Sequence, residues 1–248
     1  MAPLVDAPLV VVVPVYNEGA NFDGWWREAS PHLPHGAVVR PVYDMEEDDT
    51  LPVIARLRAE GAPIEPLRNT GRGVLKAMLT GLASVERGPV IISMADLSDD
   101  LAIIPRMLEA WRGGAAVVVA SRYMAGGRHI GGPLLKKLLS RYGGLSLHHL
   151  AGFPTHDATN NFRLYDAEFL RTVTVESTGG FELALELTFK AWQAGRMVVE
   201  LPCTWRDRVA GESRFALRKW LPRYGRLWAR AMLHGTLEQS PLRRLRSR

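Results

Sequence analysis

The sequence predicts an α/β domain with a Rossmann-like, mostly parallel sheet, helices on both faces, and a C-terminal amphipathic helical appendage. Three observations predict it. The valine run Val10–Val13 stops abruptly at Pro14-Val15-Tyr16-Asn17-Glu18. A strand buried on both faces ends in this way, delivering polar groups at its carboxyl end, where open α/β sheets bind ligands. Apolar runs then alternate with helical patterns, an order that implies parallel strands joined by right-handed crossovers. A later run, Ile91-Ile92-Ser93-Met94-Ala95-Asp96, ends in a second polar group, the carboxylates Asp96, Asp99 and Asp100.

Taken in order, the pattern predicts strands over 9–15, 37–43, 63–67, 89–95 and 115–121, and helices over 18–30, 50–60, 73–86 and 100–112. Asp49-Thr50 and Asp99 or Asp100 are placed as helix N-caps. After residue 121 the rhythm changes. Residues 122–132 hold four glycines and read as a mobile loop. Leu134–Leu150 reads as an amphipathic helix with a weak point at Gly143-Gly144, and Phe162–Tyr165 as a short strand. Phe181–Ala194 reads as a helix ended by Gly195. Met197–Trp205 reads as a strand whose Pro202 puts it at a sheet edge or a strand end. The organisation is one domain over 1–213 and a basic amphipathic segment over 214–248.

The chain has 248 residues, 47% of them hydrophobic and 23% charged, which suits a globular domain with a full core. Its single cysteine, Cys203, excludes an intramolecular disulfide and a cysteine-built metal cage. The run Leu9–Val15 is too short for a signal-peptide core or a membrane span, and no other run reaches that length. The net charge of +5 is uneven: 214–248 carries +9 and 1–213 carries −4. In that tail Leu217, Trp220, Leu221, Tyr224, Leu227, Trp228 and Ala231 fall on one helical stripe, with Arg218, Lys219, Arg223, Arg226 and Arg230 mainly off it. Such a helix suits an interface with anionic lipid; the alternative is that the stripe packs on the domain. No reading motif or aromatic groove accompanies the charge, so nucleic acid is not an expected partner.

The strand ends carry the chemistry. Tyr16 can stack on a flat base. Asp44 sits where a carboxylate accepts from a base N–H. Arg68-Asn69-Thr70-Gly71-Arg72-Gly73 opens a helix and permits close backbone approach of an anion. It is not G-x-G-x-x-G, which disfavours a dinucleotide cofactor. Asp96 supplies a carboxylate for a hard cation bridging a diphosphate. His148, His149 and His156 show no metal-ligand spacing and read as structural or surface residues.

These pieces, in this order, resemble the nucleotide-binding half of family 2 glycosyltransferases, and in particular the dolichyl- or polyprenyl-phosphate mannosyltransferase branch. The resemblance continues through Ala120-Ser121-Arg122-Tyr123, Asp157–Arg163 and Gly180-Phe181-Glu182, and ends in Arg208-Val209-Ala210-Gly211-Glu212-Ser213-Arg214. It implies a GT-A type fold and transfer of a mannose- or glucose-like hexose from a nucleotide-diphosphate sugar to a polyprenyl phosphate, with inversion. It also implies a peripheral enzyme on the cytoplasmic face of the membrane, using Mg²⁺ or Mn²⁺. Pro14, Tyr16, Glu18, Asp44 and Gly73 would hold the donor, and Asp96 the metal and diphosphate. Arg122, Arg208, Ser213 and Arg214 would meet the acceptor phosphate or donor diphosphate. Two departures stand out: Met94 replaces the first acid of the family's Asp-x-Asp, and Tyr43-Asp44-Met45-Glu46 replaces Asp-Asp-Gly-Ser. They leave open a glycan or small-molecule hydroxyl as acceptor, with Glu182 as general base, and a catalytically weak nucleotide-sugar-binding protein.

Overall fold

The computed structural model describes residues 7–207 and 217–238, with side chains from 221 to 237 in the second segment. Strand β1 (Val10–Pro14) is the buried centre of the molecule. Its valines alternate between two cores, because successive side chains of a strand point to opposite faces. Val11 and Val13 pack with α1 (Gly19–Ala29), α2 (Thr50–Ala59) and α4 (Ile104–Arg112). Val10 and Val12 pack with α3 (Val74–Ala83) and α7 (Leu183–Gln193). Helices therefore cover both faces. Gly81 of α3 lies so close to Val12 that a Cβ there would overlap the valine methyls.

The sheet has seven strands in the order β3-β2-β1-β4-β7-β5-β8. β2 is Val38–Tyr43, β3 Leu67–Arg68, β4 Pro89–Ile92, β5 Val117–Ser121, β7 Arg163–Asp166 and β8 Val198–Pro202. All pairings in it are parallel except those of β7, which runs antiparallel between β4 and β5. The expected strand 63–67 is reduced to a bridge at Ile64 and the two-residue β3. The short helix α6 (Ala167–Arg171), capped by Asp166, was not anticipated.

Two expectations for the second half are corrected. The glycine-rich segment 122–132 contains β6 (Arg128–Ile130), which pairs in parallel with β9 (Thr204–Arg206). Gly126, Gly131 and Gly132 take positive φ on either side of β6, so the glycines shape turns around a strand. The expected single strand 197–205 breaks at buried Cys203 into β8 and β9.

Helix α5 (Leu134–Ala151) is continuous through Gly143-Gly144, and α8 (Leu217–Glu238) packs against it and α7. Leu227, Ala231 and the partly buried Tyr224 and Trp228 join Leu147, Phe153, Leu185 and Phe189 in a third core. Trp228 Nε1 donates to the Gly143 carbonyl and to Ser146 Oγ, at 3.2 and 3.1 Å. Gly235 meets the backbone of Ala151 where a Cβ would not fit. From Tyr224 to Ala231 the tail stripe is an internal packing face, the alternative to the membrane reading, while Leu221 is 50% exposed. Burying it against α5 and α7 removes from water the apolar area that would otherwise have entered lipid.

Candidate active site

Adjacent strands β2, β1 and β4 end side by side, with Pro14 level with Val42 and Val12 with Ile92. Pro14 is buried, whereas Tyr16, two residues on, is 41% exposed. Asn17 and Leu97 are the two non-glycine residues with positive φ among the described residues, at 54° and 60°. They follow Tyr16 and Asp96 directly. Backbone strain of this kind gathers where a fold positions functional groups; sequence reasoning found neither.

The turn after β2 holds the start of α1. Asp48 Oδ1 accepts from the Asn17 amide (3.1 Å) and from the Thr50 amide and hydroxyl, Asp49 Oδ1 accepts from the Gly19 amide (2.9 Å), and Thr50 Oγ1 accepts from the Glu18 amide (3.0 Å). Asp49 occupies the cap position of α2 without capping it. Glu18 accepts from Asn21 Nδ2 at 2.7 Å. Asp44 gathers the third piece: its Oδ1 accepts from Asn69 Nδ2 (2.6 Å) and its Oδ2 from the Gly73 amide (2.8 Å). Gly73 has φ 83°, a conformation that opens α3 with its amides at the strand edge. Pro14, Tyr16, Glu18, Asp44 and Gly73 thus lie along one edge.

Asp96 follows β4. It is 8% exposed, and its Oδ1 accepts from the Ser98 amide at 3.2 Å. Asp99, a suggested cap, instead folds back: its Oδ2 accepts from Ser93 Oγ and the Met94 amide, each at 3.0 Å. Ser93 Oγ in turn accepts from Trp25 Nε1 at 3.1 Å. Burial, and next the charge of Asp96, push the Asp99 carboxyl up to about 7. Asp100 also caps nothing; its carboxylate accepts from the Thr204 amide at 2.9 Å, while the Arg206 amide donates to the Ser98 carbonyl. These two bonds bring β9, and the chain up to Asp207, against the Asp96 loop. Arg208, Ser213 and Arg214 lie outside the described residues.

Arg122 and Glu182 are placed differently from their sequence reading. Arg122 is locked onto Asp157: Nε donates to Oδ2 at 2.7 Å, Nη2 to Oδ1 at 2.8 Å, and the Arg122 amide to Oδ2 at 3.0 Å. Nη2 also donates to Ser140 Oγ and Thr159 Oγ1. Burial works against both charges, and the pair outweighs it, holding Asp157 at about 2 and raising Arg122. Its fork is taken up by an internal carboxylate rather than presented to a phosphate. Arg163, wholly buried, donates to the carbonyls of Asn160, Ala184 and Asp157 and to Thr188.

Glu182, the candidate general base, is 1% exposed. Its carboxylate accepts from the amides of Thr178 (3.2 Å), Gly179 (2.7 Å) and Gly180 (2.9 Å). One turn on, Glu186 accepts from the amides of Glu176 and Ser177 and from Lys190 Nζ at 2.6 Å. Burial raises the Glu186 carboxyl, and the Lys190, Ser177 and Glu176 hydrogen bonds outweigh that and lower it. The two glutamates anchor the loop 176–180, an arrangement that leaves Glu182 poorly placed to take a substrate proton.

Of the three histidines, His148 and His156 stack and His149 lies edge-on to both. His148 lies 3.8 Å from His156, whose Nδ1 is 2.7 Å from Glu200 Oε2. Among the described residues no group of three or more histidine, cysteine, aspartate or glutamate side chains stands in cation-holding geometry.

No protein-family model matches the chain. It is 30% identical over 217 residues to the undecaprenyl-phosphate mannosyltransferase of Micrococcus luteus, a match covering 84% of this chain and 87% of that protein. It is also 30% identical over 217 residues to the polyprenol monophosphomannose synthase of Mycolicibacterium smegmatis, covering 84% and 80%. To the dolichol-phosphate mannosyltransferase of Pyrococcus furiosus it is 26% identical over 209 residues, covering 82% of this chain and 58% of that one. Among solved structures, glucosyl-3-phosphoglycerate synthase from Mycobacterium tuberculosis with uridine diphosphate superposes with a TM-score of 0.65 at 15% identity, covering 95% of this chain and 82% of that one. The same enzyme with Mn²⁺, uridine diphosphate and glucosyl-3-phosphoglycerate superposes at 0.60 and 16% identity, covering 96% and 81%.

Proposed function

The chain belongs to the polyprenyl-phosphate mannosyltransferase branch of the family 2 glycosyltransferases, and from that premise we propose that it transfers a hexose, mannose first among them, from a nucleotide-diphosphate sugar to a polyprenyl phosphate. It is a glycosyltransferase with a GT-A type fold. The observation that carries the proposal is the convergence of Tyr16, Asp44, Gly73 and Asp96 on the edge formed by β2, β1 and β4. A base stacks on Tyr16, Asp44 and Glu18 fix the nucleoside, and the first turn of α3 faces the diphosphate.

The reaction is a single displacement. An oxygen of the acceptor phosphate forms a bond to the anomeric carbon as the bond from that carbon to the diphosphate breaks, and the electron pair leaves with the nucleoside diphosphate. The attacking oxygen is already anionic, so no general base is needed. This agrees with a Glu182 carboxylate held by three loop amides. It is also why the hydroxyl-acceptor reading is the weaker one.

A divalent cation would neutralise charge on the departing diphosphate. The donor set fits one held by a single protein carboxylate, Asp96, with the remaining ligands from diphosphate and water, a coordination that suits Mg²⁺. Asp99, pushed up first by burial and then by the charge of Asp96, is a second carboxyl beside it. Met94→Asp restores a second carboxylate at a half-buried position. It is expected to tighten Mn²⁺ binding about tenfold by titration calorimetry in the presence of nucleoside diphosphate. Unchanged affinity places the cation elsewhere.

The deciding experiment follows radiolabel from a panel of GDP- and UDP-hexoses into an organic-extractable product, with polyprenyl phosphate and Mg²⁺ or Mn²⁺ present. Label in the lipid phase from one donor is the expected result. Donor consumption only with a hydroxyl acceptor overturns it.

A further inference from the structure

We infer that α5 is a membrane-docking element, whose outward face enters the interface of an anionic bilayer. The inference rests on the lipid-phosphate acceptor reading for its direction and on the following observations for its substance. Leu134, Leu135, Leu138, Leu139 and Tyr142 are exposed, from 39% at Leu138 to 69% at Leu134. At about 100° per residue these five side chains fall within an arc of about 140° on one face of the helix. The opposite face is accounted for: Gly144, Leu147 and Ala151 are buried against the body and α8. Five large apolar side chains recurring on successive helical turns make a contiguous patch, not the scattered exposure ordinary for a surface.

Charge selects the occupant. Residues 122–156 contain no aspartate or glutamate and carry Arg122, Arg128, Lys136, Lys137 and Arg141. On α5, Lys136 and Arg141 flank the apolar arc. Leucines bordered by cations, on a segment that itself carries no acid, fit anionic headgroups over an acyl layer. The same rim would repel a second copy of this face. No helix among the described residues is long and apolar enough to cross a membrane, so contact of this kind is made from one side. Ser140, on the inner side of α5, lies 2.9 Å from Tyr123 Oη and 2.6 Å from Thr159 Oγ1. The docking face and the polar end of β5 are thus joined through one helix, and an acceptor whose phosphate sits at headgroup level would meet the protein there.

The test uses the full chain and vesicles of phosphatidylcholine with phosphatidylglycerol, free of polyprenyl phosphate. The chain is expected to sediment with these vesicles. The variant L134S/L135S/L138S/L139S is expected to lose about tenfold or more in partitioning while keeping its circular dichroism and melting temperature, since the residues are exposed. A second variant, R243Q/R244Q/R246Q/R248Q, is expected to lose less. Absence of vesicle binding by the parent, equal binding by the leucine variant, or a larger loss from the tail variant each overturns the inference. So does a solution dimer that the leucine variant dissociates. Transfer to a short-chain, water-soluble prenyl phosphate is expected to be unchanged in the leucine variant. Failure of that transfer in the parent strikes the acceptor reading and leaves the vesicle result standing.

Discussion

At the ends of β1 and β2 the side chains stay at the surface: Tyr16 is 41% exposed, and Glu18 and Asp44 are half-buried, whereas Asp96 after β4 is 8% exposed. In the second half the charged groups of the recognised motifs, Arg122, Asp157, Arg163, Glu182 and Glu186, are turned inward onto one another and onto backbone. Both halves place charge near the carboxyl ends of strands. The ends of β1 and β2 keep it available to a ligand, and the second half uses it as internal bracing. Burial, rather than motif membership, separates the two. A buried charge must have its partners inside the fold, whereas a half-exposed one can exchange water for substrate.

The largest effect should follow from breaking the brace. Asp157→Asn leaves the Arg122 guanidinium buried without its carboxylate, and a broken buried pair costs about 3–5 kcal/mol. The urea midpoint should fall accordingly. An unchanged midpoint would return Arg122 to the list of ligand-facing residues. The pair also sets an acid limit. The folded carboxyl is depressed from 3.8 to about 2, so its contribution is present above 3.8 and is lost as pH falls toward 2.

Glu186→Gln comes next. It weakens the amide and hydroxyl bonds of the 176–180 loop and leaves Lys190 short of a partner, a loss of about 1.5–3 kcal/mol for charge-assisted bonds. Melting temperature measures it, and a loss of activity with no change in stability would contradict the anchoring role. Tyr16→Ala is the opposite case. At an exposed position it should move stability by about 0.5 kcal/mol or less. It should weaken nucleoside-diphosphate binding by about tenfold, within the range for loss of one base–aromatic stack. Equal losses in both quantities would erase the distinction between the two halves.

Legibility in the sequence follows the same division. Val10–Val13 and Ile91-Ile92 announce buried strands because nothing else suits runs of that composition and length between helices. Their polar ends were therefore readable as the site. The direction of β7 was not, since a period of two is the same in a parallel and an antiparallel strand. Residues 122–132 read as a loop because three of their glycines bend the chain at positive φ around a three-residue strand too short to register. The α8 stripe is a real apolar face, but periodicity says only that a face is apolar, not whether protein or lipid covers it. Glu182 and Arg122 fell on the wrong side for a related reason: the partners that bury them, the 178–180 amides and Asp157, come from a loop and a segment whose placement only the fold supplies.

The smallest expected effect sharpens the comparison where the halves are hardest to tell apart. His129 is half-buried on β6. Its Nδ1 lies 3.0 Å from Tyr123 Oη, and its ring lies edge-on to Trp205 at 4.6 Å. Burial first, then the charges of Arg122 and Lys137, lower it from 6.5 to about 4. The folded protein thus resists protonation over a range in which the unfolded chain accepts it. Stability is then full above 6.5 and drains as pH falls toward 4. Because the ring is half exposed, solvent screening makes the loss smaller than the shift alone would give. His129→Gln keeps a polar partner for Tyr123 and removes the titration. The difference in urea midpoint between parent and variant should shift in the variant's favour across that range and stay flat above it. This isolates His129 from the other histidines, which both proteins share. A difference that stays flat at all pH values would mean that His129 exchanges protons with solvent as freely as a ligand-facing group, and belongs with Tyr16 rather than with Asp157.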